Sequence, residues 1–553
     1  MDNTRLFLFI ALSFVSLMLW DAWQRDYHTP ETVAAEPGAA AQPTDTPQID
    51  IDAPSAPPPG ATPDVPTPQR PLTFEPLTTA TGDVVTVHTD VLELNINLLG
   101  GGISRASLTQ YPVELDEPDN HFALLDNIPG RLFIHQGGLK GTGDAPDHRA
   151  RYVAEAEHYE LSPGQDEITV TLRWAAGEAL DVLKRYTLRR GSYLVDVDYV
   201  VTNNGTEIWN GRGYEQLQRE KPESKRGLIY TFTGAALSTP EKRYQKYDYD
   251  DLEDTPLNVD VEGGWVGVLE HYFVSALLPT PANSSHFYSL ILDDTRYAVG
   301  FWGPPMSLSP GDSGAFHSSV YIGPKLHEVL RDIAPGLELT VDFGVLWFIA
   351  KPLFVALDFI HKLTGNWGIA IIIITLSLKL LFYPLSAAGY RSMAKMRKVQ
   401  PRMMAMKERY GGDRTRMNQA MMELYKEEKI NPLGGCLPIL IQIPVFISLY
   451  WVLLESVEMR QAPFGLWIHD LSAKDPLYIL PLIMGVSMWI QQKLNPAPMD
   501  PVQQKVMQVL PFAFTIFFMF FPSGLVLYWV VNNILSIAQQ WHITRSIESA
   551  EKS

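Results

Sequence analysis

Lys379 lies in the run NWGIAIIIITLSLKLLFYPL (residues 366–385), which is otherwise apolar enough to cross a membrane. A cation in hydrocarbon costs roughly 2.5–3.5 kcal/mol on insertion scales. Such a lysine faces a wet cavity, finds a partner, or reaches out to the lipid headgroups. No acidic residue lies inside the apolar runs to neutralise it. Thr375 stands four residues earlier, on the same face of a helix. Tyr528, Asn532, Ser536 and Gln540 also recur every four residues, a polar stripe along the last apolar run. Gln442 interrupts a third run. Stripes of this kind suit a hydrated groove that presents one positive charge inside the bilayer. The alternatives stay open on sequence alone. The stripe also suits interhelical hydrogen bonding at about 0.6 kcal/mol per pair. Lys379 lies five residues before Pro384, about 7.5 Å of helical rise, near enough to reach the interface.

Covalent chemistry finds little support. The turn-like run SPGDSGAF contains GDSG, but Ser313 has no recognisable histidine and aspartate partners for a nucleophilic triad. There is no phosphate loop, dinucleotide fingerprint or His-Glu-x-x-His motif. The 13 histidines show no ligand spacing, and the lone Cys436 excludes an internal disulfide. No catalytic residue, metal or cofactor is expected.

The elements that must position the polar residues differ sharply along the chain. Residues 1–355 carry 25 Lys+Arg against 49 Asp+Glu, whereas 356–553 carry 19 against 13. The acidic half has no DNA-binding footprint. Residues 1–24 contain the run LFLFIALSFVSLMLW. Trp20 and Trp23 follow it where a cleavage site would need small residues, so an uncleaved anchor is favoured over a cleaved signal. Residues 25–70 are Pro- and Ala-rich and read as a disordered linker. From 71 to 342 the period is two. Ile168, Val170, Leu172 and Trp174 alternate with polar residues, and Tyr193, Val195, Val197, Tyr199 and Val201 share one face. That pattern predicts a large antiparallel β-sandwich.

Residues 343–364 read as an interfacial amphipathic helix. Transmembrane helices are predicted at 365–385, 433–455, 477–494, 504–521 and 525–543. Their linkers are 386–432, a periplasmic loop at 456–476 and a cytoplasmic loop at 495–503. A short tail spans 544–553. The 386–432 segment carries eleven Lys+Arg. It is therefore cytoplasmic by the positive-inside rule, which puts the β-domain in a periplasm and both termini in the cytoplasm. It reads as a helical hairpin around Gly411-Gly412. Eight of the 17 methionines lie there, either packing the hairpin or offering adaptable apolar contacts. Its basic residues suit anionic lipid heads or RNA, or reflect positive-inside topology alone.

The motifs NWGIAIIIIT, YPLSAAGYRSMAKMRKVQP, EKINPLGGCLPILIQIPVF, RQAPFGLWIHDLS and FPSGLVLYWVVNN resemble the YidC membrane protein insertases of Gram-negative bacteria, of the YidC/Oxa/Alb family. The resemblance covers essentially the whole chain. It implies a multi-domain membrane protein: an α-helical bundle of five core transmembrane helices, an N-terminal anchor helix and a periplasmic β-supersandwich. The implied function is insertion and folding of nascent integral inner-membrane proteins, alone or with the Sec translocon. The implied groove is open to cytoplasm and lipid, with Lys379 as its charge and Thr375 as a polar neighbour. Phe446, Met484 and Phe517 then form an apolar slide for the client. The family usually has arginine at the charged position. Lysine keeps the charge but not the planar fork of donors. The last span often carries a tyrosine pair, here Tyr528-Trp529. The tail RSIESAEKS lacks a long basic extension, so contact with a translating ribosome is expected to be weak and through the cytoplasmic loops. Rival functions are a transporter or channel, a periplasmic carbohydrate- or lipid-binding protein or enzyme with a membrane anchor, and a passive scaffold.

Overall fold

The computed structural model describes residues 83–174, 179–222, 231–281, 283–410, 413–428, 430, 437–495 and 501–550. The predicted anchor and linker, Gly411-Gly412 and Cys436 lie outside them. The chain divides into a β-rich unit and a helical unit.

The β-rich unit holds an eleven-stranded and a nine-stranded sheet. The strand Leu194–Asn203 pairs antiparallel with Leu180–Arg189 on one side and Ser313–Pro324 on the other. The alternation read from sequence is the reason it is central. Tyr193, Val195, Val197, Tyr199 and Val201 are all buried while the intervening residues are half-exposed. One pairing departs from the antiparallel expectation. Val84–His88 runs parallel to His158–Glu160, a contact too distant in sequence for any hairpin signal. GDSG forms a turn: Gly311 has φ +86° and Asp312 N donates to Ser309 O at 2.9 Å. Ser313 pairs with the Thr202 hydroxyl at 2.9 Å.

The interior of this unit is not wholly apolar. Lys184 is 0% exposed. Its ammonium lies 4.9 and 5.2 Å from the ring centroids of Tyr199 and Tyr186 and has no hydrogen-bond partner. Burial pushes its pKa down to about 8, against a smaller upward pull from Glu215. Glu215 and His135 are also buried, 2.8 Å apart but out of line for a hydrogen bond. Glycine is required beside them, because a Cβ on Gly137 would lie 2.0 Å from a Glu215 oxygen.

The helical unit begins with α1 (Trp347–Thr364), which buries Ala350, Leu353, Phe354 and Leu357. Its other face leaves Phe348, Val355, Phe359 and Leu363 exposed. Apolar residues on both faces suit a helix lying at a lipid surface. Gly365 stops it in the left-handed region. Asn366 then caps α2 (Trp367–Leu381), its side-chain oxygen accepting from Ile369 N at 3.0 Å. The chain bends by 67° into α3 (Tyr383–Tyr410). The hairpin is completed by α4 (Arg414–Glu427). Val399, Met403, Met421 and Leu424 bury one another there, with Met396, Met406 and Met417 packed against them. Most of the hairpin's methionines therefore fill its own core, although Met404 and Met422 stay exposed.

The remaining helices are α5 (Leu437–Glu455), α6 (Ile479–Leu494), α7 (Pro501–Phe518) and α8 (Ser523–Ala550). Among the described residues no single helix is both long and apolar enough to cross a membrane, and only α2 with α3 passes as a bent pair. For α2 and α8 the physical reasons differ. The 15 residues of α2 rise only about 22 Å, which needs flanking residues or a thinned bilayer. The 28 residues of α8 rise about 42 Å, but the polar stripe lowers its hydropathy.

Candidate functional site

The polar residues read from α2, α5 and α8 converge on one hollow. Thr375 and Lys379 come from α2, Gln442 from α5, and Tyr528 and Asn532 from α8. Ser386, on the first turn of α3, joins them. Leu378, Phe382, Leu385 and Val445 supply apolar wall. The space open to water-sized molecules is about 30 Å³, enough for one or two waters. It is a narrow hollow rather than a wide channel.

Lys379 turns inward. Its Nζ donates to Ser536 Oγ at 2.7 Å, so the side chain is drawn to α8 and not out to the interface. The backbone is tied as well, since Gln539 Nε2 reaches Lys379 O at 3.5 Å. An ammonium has three donors, and two of them have no protein partner among the described residues. Thr375 is buried and spends its hydroxyl proton within its own helix, on Ile371 O at 2.6 Å. It therefore offers the hollow lone pairs, not a donor. Tyr528 of α8 and Gln442 of α5 border the hollow together.

Gln540, the last member of the stripe, donates to Leu494 O and Asn495 Oδ1 at 3.2 and 3.1 Å, so it serves the junction with α6. Sequence reading missed Asn533, whose Nδ2 donates to Ser487 Oγ on α6 at 3.0 Å. The signal was present: successive helical residues point about 100° apart, so Asn532-Asn533 had to face two different neighbours. Tyr390 was also missed. It is buried against Ile543 of α8, with Met393 and Ile547 packed on the contact. Only the bend at Phe382 brings it there, so no helical period could have found it.

The apolar candidates divide. Phe446 is half-buried and packs edge-on against Trp529, ring centroids 4.6 Å apart, and beside Tyr528 at 6.3 Å. Trp529 keeps its ring contacts while its Nε1 has no partner. Phe517 is 50% exposed and packs edge-on against Phe518 and at a tilt against Phe521, placing it at the rim of the same aromatic group. Met484 differs from expectation. It is 0% exposed, and its carbonyl accepts from Ser487 Oγ at 2.7 Å. It lies behind the surface a sliding client would touch, because the α6 face that carries it packs into the bundle.

The end of the bundle where α2, α6 and α8 begin is sealed by the 459–478 loop. The Asp475 carboxylate accepts from Trp467 Nε1, Leu477 N and Leu480 N at 3.0, 3.0 and 2.7 Å. Asp470 binds Gln461 N and both donors of Ser472. Ser523 returns two bonds to this loop, and Asn366 Nδ2 reaches Phe464 O at 3.0 Å. A Cβ on Gly368 would fall 2.0 Å from the Phe464 ring, so α2 meets the loop at van der Waals contact.

Comparisons with known proteins bear on the whole chain. The family described as 60Kd inner membrane protein matches residues 359–551, and that of the YidC periplasmic domain matches residues 84–356. The chain is 50% identical over 566 residues to the membrane protein insertase YidC of Thioalkalivibrio sulfidiphilus, covering 100% of both. It is 49% identical over 553 residues to that of Methylococcus capsulatus, covering 99% of each. Among solved structures, an active YidC insertase crystal structure with its first transmembrane domain resolved shares 19% identity at a TM-score of 0.39, covering 83% of this chain and 92% of that one.

Proposed function

This chain belongs to the YidC family of membrane protein insertases, and on that premise we propose that Lys379 is the intramembrane charge that draws a client's polar segment out of water. The family is of the inner membrane and carries a periplasmic domain. Its clients are nascent membrane proteins. We take both termini to be cytoplasmic, as the basic hairpin indicates.

The supporting observation is the inward ammonium, held at 2.7 Å by Ser536 with two N–H donors unpartnered among the described residues. A polar segment leaving water for hydrocarbon meets a large barrier. Two free donors in the hollow, together with the lone pairs of Thr375 and the side chain of Asn532, supply partners partway. The seal at Asp470 and Asp475 favours entry from the opposite end. The client's apolar segment then leaves past Phe446 and Phe517, with Met484 as support behind them. Burial in lipid at about 25 cal/mol per Å² drives release without ATP or a covalent step. The Sec translocon as a working partner and weak ribosome contact through the cytoplasmic loops fit the same reading.

The test is complementation of cells depleted of their own insertase. Lys379→Arg should support insertion, Lys379→Ala should weaken it, and Lys379→Glu should abolish it. Equal rescue by all three would remove the charge from the mechanism.

A further inference from the structure

Backbone strain gathers in one place. Among the described residues only three other than glycine have positive φ: Gln461, Leu466 and Tyr478, at 57°, 57° and 56°. All three lie in the 459–478 loop. Two of them serve local contacts. Gln461 turns its N–H onto the Asp470 carboxylate at 3.1 Å. Tyr478 joins the loop to α6, its N–H donating to Asp475 O at 3.2 Å. Leu466 is different. It is the first central residue of a tight turn, closed from Ile468 N to Gly465 O at 3.1 Å. Trp467, the second, has no positive φ. That is the pattern of a type II′ turn, whose first central position favours glycine. Leucine is strained there, and its side chain gains little from packing, being 84% exposed.

We infer that the 459–478 loop is a lipid-binding element whose turn presses Leu466 into the leaflet at that end of the bundle. Three observations favour lipid as the occupant. The first is continuity. Leu477 and Tyr478 are 58% and 38% exposed and lead directly into α6, where Leu482, Ile483 and Val486 are exposed as well. The second is residue type. Trp467 is half-buried and Tyr478 and Lys474 are exposed, the aromatic and cationic side chains that suit a membrane interface. The third is charge. The carboxylates of Asp470 and Asp475 are turned onto donors of the loop itself, so they do not face lipid phosphates, whereas Lys474 can. Those same bonds hold the loop in one shape, so little ordering is left to do on contact with lipid. The seal is then held from within by two carboxylates and from outside by the leaflet, which fixes the depth of the closed end of the bundle.

This inference stands apart from the role of Lys379. It is tested with spin labels on the full chain in proteoliposomes of phosphatidylethanolamine and phosphatidylglycerol. The single cysteine is removed as Cys436→Ser, and one nitroxide is placed at Leu466→Cys, Leu477→Cys, Val486→Cys or Asp116→Cys. Val486 on α6 is the lipid reference, and the exposed Asp116 of the β-rich unit is the water reference. Oxygen concentrates in hydrocarbon and a nickel chelate stays in water, so the ratio of their collision rates reports depth. The labels at 466 and 477 should lie about 5–10 Å into the headgroup–acyl boundary. Leu477 has no positive φ, so its label reads the same surface without disturbing the turn. Leu466→Gly supplies the residue the turn favours and removes the side chain. In that background the 477 label should shift toward water. Labels at 466 and 477 as wet as the one at 116 would overturn the inference. So would labels shielded from both agents, which would mean that protein covers the loop. A 477 label unmoved by Leu466→Gly would overturn the part assigned to Leu466.

Discussion

Two lysines, one in each unit, show what burial alone does not say. Lys184 sits inside the β-sandwich, sealed among Tyr186 and Tyr199, with no hydrogen-bond partner for its ammonium. Lys379 sits among the helices, tied by one bond to Ser536 and bordering a hollow with room for water. Both lysines are drawn out of water. The first has nowhere to present its charge, so its effect falls on stability. The second borders a hollow, and the proposed role places its effect on function. The distinction lies in what surrounds the ammonium, not in how deeply it is buried.

The largest expected effect exchanges the sign at the helical lysine. Lys379→Glu should lower insertion of an acidic-tailed client about a hundredfold, the cost of placing a wrong charge in the bilayer. Thermal unfolding of the β-rich unit should not move. A matching fall in its melting temperature would erase the contrast. The reciprocal change is Lys184→Met, which keeps most of the side chain's volume and removes a buried ammonium that has no hydrogen-bond partner. It should stabilise the β-rich unit by about 2–3 kcal/mol at pH 7, seen as increased protection of the Leu194–Asn203 amides. Insertion per folded molecule should be unchanged.

Titration sharpens the comparison. The folded-state pKa of Lys184 is about 8, against about 10.4 in an unfolded chain. Between these values the unfolded chain binds more protons, so stability rises with pH and levels off above the upper one. Hydrogen exchange of the full chain in detergent should report a gain of about 3 kcal/mol from pH 8 to 10.5 in the β-rich unit. Lys184→Met should abolish the slope. Two smaller effects concern the helical unit. Gly368→Ala drives a methyl into the Phe464 ring and should cost about 1–3 kcal/mol, read by proteolysis at the 459–478 loop. Asn533→Ala loses one bond to Ser487. It should cost only about 0.6 kcal/mol and leave insertion intact, marking that stripe as glue where the Lys379 stripe is not.

Much of this was legible in residue order. The period of two placed Val195, Val197, Tyr199 and Val201 on the buried face, because a strand's side chains alternate without regard to what they pack against. The period of four put Tyr528, Asn532, Ser536 and Gln540 on one stripe for the same local reason. What periodicity could not do was choose the partner of each residue. It could not tell that Gln540 joins α6, or that Met484 looks inward and Phe517 outward. Nor did it find Tyr390, whose approach depends on a 67° turn that no propensity sets.

The sequence by itself determined that an acidic β-rich half precedes a basic apolar half, and that one cation with a polar stripe had to be reconciled with hydrocarbon. Charge, period and hydropathy are properties of neighbours along the chain. Only the tertiary structure decided between an ammonium in the headgroups and one in a hollow. That choice turned on a hydroxyl 157 residues away in sequence and on a helix bend, both of them fixed by packing between segments.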